Sequence, residues 1–226
     1  MHRSKGKQVS HPHLVGRAGV GVLPFLDGRS PVFIAVAMVI AVWLLTLSSY
    51  LTIPMTPVPI TLQTLVVTLV GAFFGWRWGA LTILAWLAIG ALGLPVLANG
   101  DFGWTKFTGA TGGYLFAFPL AAAAVGGLVE RGWGVAHFWR ALAAMLIGSG
   151  ICLLFGCAWL ALIIGFQKAW SNGVQPFLVG ALIKSIAGAM VLKGYDMYCL
   201  SGRSVTTGST SVRYTAAHRL RRGVAR

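Results

Sequence analysis

The sequence predicts an all-α integral membrane protein with six transmembrane helices, both termini cytoplasmic, and a pocket capped by loops of the outer face. Three observations predict it. Of 226 residues, 57% are hydrophobic and 10% charged, whereas a soluble domain carries about 25% charged residues. No charged residue occurs from Pro31 to Trp76, a run that holds two spans at about 20 residues each. Within that run the stretch 51–64, LTIPMTPVPITLQT, has prolines at 54, 57 and 59. Each proline removes a backbone donor and restricts the residue before it, so a regular helix is forbidden there. In lipid, non-helical backbone survives only where protein covers it or where it lines a cavity or the water interface. The stretch should therefore dip into the protein at one membrane face, where Thr52, Thr56, Thr61, Gln63 and Thr64 offer hydrogen bonds to whatever enters.

Taken in order, residues 1–30 form a polar, basic tail. The first span covers about 32–51, and the second, 60–74, is short because its start is sunk below the interface. WRWG at 76–79 reads as a tight cytoplasmic turn, with its tryptophans at headgroup level and Arg77 as anchor. Gly71, Gly75 and Gly79, spaced by four, permit close helix packing. The third span is 80–97, and the Gly-rich, aromatic segment 97–114 is long enough to be a binding loop or lid. Spans four to six follow at 114–129, 141–166 and 176–192, with a polar turn at 167–175. The domain proper is thus 31–192. The basic segment 193–226 is expected to be largely disordered.

The formal charge is +14, yet nucleic-acid binding is not expected, because the bases sit in tails and short loops. Of the 18 Lys and Arg residues, only Lys106, Lys168 and Lys184 fall outside the segments assigned to the inner side, which makes both termini cytoplasmic. Basic tails also suit anionic lipids. The proline stretch, the 97–114 loop and the 167–175 turn then converge on the outer face. Cys152, Cys157 and Cys199 have neither metal-ligand nor disulfide spacing and read as packing residues. There is no metal motif, interior carboxylate pair or phosphate-binding loop, so no cofactor and no intrinsic ATPase are expected.

Lys184 lies in the middle of the last span, where an ionisable residue faces the bundle interior and marks a function. Of the four acids, Asp27, Asp101, Glu130 and Asp196, none is inside a span, and only Asp101 is on the outer face and able to reach down. Otherwise Lys184 is uncharged when the site is empty or awaits an anion, which points to a small carboxylate ligand. Phe102, Trp104, Phe107 and Tyr114 could stack on or cover such a ligand. Asn99, Gln63, Thr61 and Thr111 supply donors and acceptors.

TIPMTPVPITLQTLVVTLVGAFFGWRWGALTILAWLAIGALGLPVLANG, then TGATGGYLFAFP, then PFLVGALIK, closely resemble the BioY family, the biotin-specific S-components of energy-coupling factor transporters. The resemblance covers about 31–192. It implies a multi-pass protein of the bacterial inner membrane that captures biotin from outside and is not an enzyme. It also implies partners: a transmembrane coupling protein and two cytoplasmic ATPases. Carried over by position, Asn99 hydrogen-bonds biotin, Lys184 is the sixth-helix lysine of the site, and Ala37 and Ala41 form the small-residue stripe where the coupling protein docks. One position departs from the pattern, since Ala181 stands where the family has an acid. At i and i+3 that acid would share a face with Lys184, pair with it and accept the ligand's ureido N–H groups. Its absence predicts weakened binding, restored by Ala181→Asp. The alternatives are an S-component for another small carboxylate vitamin and a membrane-embedded enzyme. A channel is disfavoured because the spans lack a polar file.

Overall fold

The computed structural model describes residues 25, 26, 28–134 and 137–198. Most of both basic tails, Asp27 and Cys199 lie outside them. The described chain is mostly helical, and five stretches are long and apolar enough to cross a membrane: Pro31–Tyr50, Gln63–Ala91, Gly112–Trp133, Phe138–Ile164 and Phe166–Tyr198. Helix α1 (Pro31–Tyr50) starts as its sequence suggests, with Pro31 in the first turn and the Ser30 hydroxyl accepting from the Phe33 N–H at 3.3 Å. Its outward side is apolar, with Val32 and Trp43 each 71% exposed. Large exposed apolar faces of this kind belong against lipid or a partner rather than water.

Helix α2 (Gln63–Ala91) is broken at Gly75, where φ is 77° and ψ 179°. That region of backbone space is essentially restricted to glycine. The break is a reversal. A Cβ placed on Gly79 would lie 2.9 Å from the Gly71 Cα, whereas eight residues of straight helix would separate them by about 12 Å. The expected turn at 76–79 is therefore corrected to a single residue, and Trp76 to Gly79 are already helical. Groups freed by the break find partners elsewhere in the chain. Phe25 N–H donates to the Phe73 carbonyl at 2.8 Å, and the Trp76 N–H donates to the Glu130 carboxylate at 3.0 Å. Glycine also allows close approach to the next helix, since Gly71 lies against the Ala122 backbone and Gly126 against Gly75.

The proline stretch forms a two-stranded ribbon. β1 (Thr52–Ile53) pairs antiparallel with β2 (Ile60–Thr61), and the three prolines occupy the connecting loop, where no ladder donor is required. The Thr56–Pro57 bond is cis. After α2, a short helical turn at Ala98–Gly100 carries Asn99 in the left-handed region (φ 59°), which asparagine tolerates. The Tyr50 hydroxyl ties this loop to the end of α1 by donating to the Pro95 carbonyl at 2.7 Å. Short helix α3 (Thr105–Thr108) leads into α4 (Gly112–Leu128). Then follow α5 (Phe138–Ile164), α6 (Phe166–Gly173) and α7 (175–198).

Helix α4 is the central element. It packs on both limbs of α2 and on α5, and the ring of Tyr114 lies directly on Gly156. Helix α7 packs between α5 and the start of α2, through Ser149 against Ser185 at 3.3 Å and through Met145 and Leu65 against Gly188. It runs beyond the expected end at residue 192, because Lys193 and Asp196 pair at 3.2 Å one helical turn apart and so support the helix. At the other end Leu26 is buried in the core, so the last part of the expected tail 1–30 packs against the bundle. The residues of the expected docking stripe are largely covered by the chain's own packing. Ala41 is 3% exposed and Ala37 is half-buried against the core, so the pair faces inward. The side of α1 open to a partner is the bulkier one bearing Val32, Val36 and Trp43.

Candidate functional site

A cavity of about 650 Å³ opens where the proline loop, the 97–111 segment and four helices meet, within the roughly 300–1,000 Å³ usual for small-molecule sites. Residues 54–59 form one wall, which accounts for backbone without helical hydrogen bonds at this depth. Aromatic surface comes from Tyr114 and Phe118 of α4 and Phe177 of α7. Tyr114 stacks on Phe177 with ring centroids 6.0 Å apart and donates to the Gly173 carbonyl at 2.7 Å, which pins the wall at the junction of α6 and α7.

Lys184 points into this cavity and not toward lipid. Phe177, Ala181 and Lys184 all line it, and their spacing of four and three puts them on one face of α7. The amine donates to the Thr61 carbonyl at 3.1 Å and to the Thr64 hydroxyl at 2.6 Å. Among the described residues no carboxylate forms a salt bridge with it. Asp101, the acid expected to be able to reach down, instead pairs with Lys106 at 2.6 Å, and both side chains are about two-fifths exposed at the rim (44% and 38%).

The floor beside Lys184 is formed by the buried Gln63, Ser149 and Cys152. Gln63 is 3% exposed. Its side-chain oxygen accepts from the Thr61 hydroxyl at 3.0 Å, while that hydroxyl oxygen accepts the Gln63 backbone N–H at 3.3 Å. This pattern turns the amide nitrogen away, and it has no hydrogen-bond partner. A buried, unpaired donor costs about 1–3 kcal/mol, and the residue that carries it is part of the cavity lining. At the rim the Asn99 side-chain oxygen accepts from the Thr52 hydroxyl, which leaves its amide nitrogen for a ligand. Thr111 donates to the Lys106 carbonyl at 2.9 Å.

Of the side chains singled out from sequence, Lys184, Ala181, Asn99, Gln63, Thr61, Thr111 and Tyr114 all line the cavity. Phe102 and Trp104 do not. They are 55% and 67% exposed, because Gly103 turns the chain between them with φ 83°. Trp104 instead packs on the outer side of Phe107, at 5.4 Å between ring centroids, and Phe107 is buried behind the wall rather than in it. Thr64, one of the polar residues of the proline stretch, also lines the cavity, whereas Phe118, Cys152 and Phe177 were missed. Helical spacing would have found two of them, because Phe118 is one turn from Tyr114 and Phe177 two turns from Lys184.

Comparison with known proteins agrees with this architecture. Residues 21–199 match the family model described as the BioY family. A probable biotin transporter BioY of Pyrococcus horikoshii is 35% identical over 148 residues, covering 66% of this chain and 86% of that protein. Biotin transporter BioY of Thermotoga maritima is 36% identical over 149 residues, again 66% and 86%. A solved structure, the S-component for biotin from an ECF-type ABC transporter, shares the fold with a TM-score of 0.65. It is 24% identical, with 74% of this chain and 92% of that one covered. A match to the family model over nearly the whole described chain, with more than a third of the aligned residues identical to each of these two transporters, makes this protein a member of the BioY family.

Proposed function

We propose that this chain is the membrane-embedded, substrate-binding subunit of a biotin uptake system. It captures biotin from the outer side and releases it inward with an ATP-driven coupling module made of a transmembrane protein and two cytoplasmic ATPases. One observation carries the reading: an inward-facing lysine, whose hydrogen-bond partners among the described residues are Thr61 and Thr64, at the floor of a cavity of ligand size in a chain whose relatives are named biotin transporters. The chain crosses the cell membrane (the inner one in a bacterium) six times, the two limbs of α2 counting separately. Both termini are cytoplasmic, and the basic tails 1–30 and 193–226 contact anionic lipid. The distribution of Lys and Arg supports that orientation. The whole set Lys184, Asn99, Gln63, Thr61, Thr111 and Tyr114 contacts ligand, and Ala181 leaves space beside it.

Equilibrium binding of radiolabelled biotin to the purified chain tests this. Saturable binding is expected, with Lys184→Met weakening it by about ten- to a hundredfold, the worth of a hydrogen bond from a charged group. Absence of saturable binding would remove the proposal. Ala181, where the family pattern has an acid, favours one second reading, a different small carboxylate vitamin. Competition by unlabelled vitamins against biotin distinguishes the two.

A further inference from the structure

We propose that a phospholipid binds in a groove outside the ligand cavity, between the proline loop and the corner of α5 and α6, with its phosphate at Lys168. The groove is a second hollow, of about 550 Å³, lined by Thr56, Pro57, Ile163, Ile164 and Lys168. Thr56 and Pro57 line the ligand cavity as well, so the loop is a wall common to both. An occupant of the groove therefore backs the ligand cavity from the lipid side without entering it. The site needs a membrane around the chain but not a particular vitamin inside it.

Helix α6 sets the depth of the groove. Gly165, with φ 84°, turns the chain out of α5, and the residues that follow divide by face. Ala169 and Gly173 are buried, four apart and on one side. Beside them Phe166 and Trp170 are exposed and stacked, with ring centroids 6.5 Å apart. Gln167, Lys168 and Ser171 are exposed on the other side. A helix divided in this way lies in the interface plane, and tryptophan there marks the headgroup level. Lys168 is thus placed at phosphate depth. Among the described residues no carboxylate forms a salt bridge with it.

Two chemistries meet in the groove, and a lipid satisfies both. The Lys168 ammonium and the Thr56 hydroxyl can donate, which suits an oxyanion. Beside them lie Ile163, Ile164 and Pro57, and the apolar surface continues down α5 through Leu162 and Phe155, exposed and two turns apart on one face. A free phosphate ion would leave these side chains uncovered, and an acyl chain alone would leave the cation unmatched. A phospholipid of net negative charge covers the apolar stripe with its chain and brings its phosphate to the amine, the usual attraction of a basic residue at a membrane surface.

Reconstitution of the full chain into phosphatidylcholine vesicles doped with a phosphatidylglycerol that carries a diazirine near the top of one acyl chain tests the site. After irradiation, crosslinks mapped by peptide mass spectrometry are expected at Ile163, Ile164 and Pro57. They are also expected at the exposed Val36 and Trp43 of α1, which serve as an internal reference. Relative to that reference, Lys168→Gln should lower labelling of the groove about fivefold, the worth of one basic residue at a membrane surface, and Lys168→Arg should restore it. Unlabelled phosphatidylglycerol should displace the probe, and inorganic phosphate should not. Absence of labelling in the groove, equal labelling in the wild-type chain and Lys168→Gln, or equal labelling by a diazirine phosphatidylcholine would overturn the proposal. Displacement by inorganic phosphate would also overturn it, making the groove a site for a soluble anion. Biotin binding is a separate measurement, so the lipid site and the uptake reading can each fail alone.

Discussion

Two tyrosines make equally short hydrogen bonds to backbone carbonyls, and burial separates their importance. Tyr114 reaches the Gly173 carbonyl at 2.7 Å inside the protein, and Tyr50 reaches the Pro95 carbonyl at 2.7 Å near the surface. Removing the buried hydroxyl leaves an acceptor that water cannot easily reach, at a cost of about 1–3 kcal/mol. Tyr114→Phe should therefore lower the apparent melting temperature in detergent clearly, and Tyr50→Phe only slightly. Equal shifts would mean that the Gly173 carbonyl is solvated after all. Lys184 was legible from sequence because a lone charge in an apolar helix has few places to go. The partner it lacks was also legible, as Ala181. What could not be read was that Asp101 is engaged by Lys106, because loop side chains five residues apart have no fixed geometry.

At the level of elements, the reversal at Gly75 is where expectation and structure part. Gly71, Gly75 and Gly79 look alike in sequence, and the tryptophans and Arg77 draw attention to the interface just after them. Only one of the three glycines has positive φ, and the other two serve close approach. Gly75→Ala forces a side chain into glycine-only backbone space, at about 1–3 kcal/mol. It should cut the yield of monodisperse protein and its thermal stability, with Gly79→Ala as a comparison that tests crowding alone. Glu130→Ala removes the acceptor of the Trp76 N–H and is expected to act in the same direction, whereas Glu130→Gln retains an oxygen and should cost less. The ribbon of the proline stretch was not legible, since strands of two residues are too short to show an alternating pattern. That the segment is not helical was legible, because proline decides it locally.

For the molecule as a whole, the helices were readable because lipid demands about 20 apolar residues per crossing, and the orientation rests on where the cations lie. Single cysteines in a cysteine-free background test it. A thiol at Lys168 should react with a membrane-impermeant maleimide in intact cells, and one at Arg140 only after permeabilisation; the reverse pattern would invert the protein. The convergence of the proline stretch and the 97–111 segment on one cavity followed from topology, although the 167–175 turn lines none of it; the identity of its other walls required helix rotation, which periodic hydrophobicity fixes poorly when a helix is apolar all round. The one-residue reversal has a practical consequence for such mapping. With no slack between the two limbs, and with Phe25 and Glu130 each bonded to a flanking backbone group, an epitope tag or fusion inserted at Gly75 would pry apart three segments at once. Its reported sidedness would then belong to a disrupted chain.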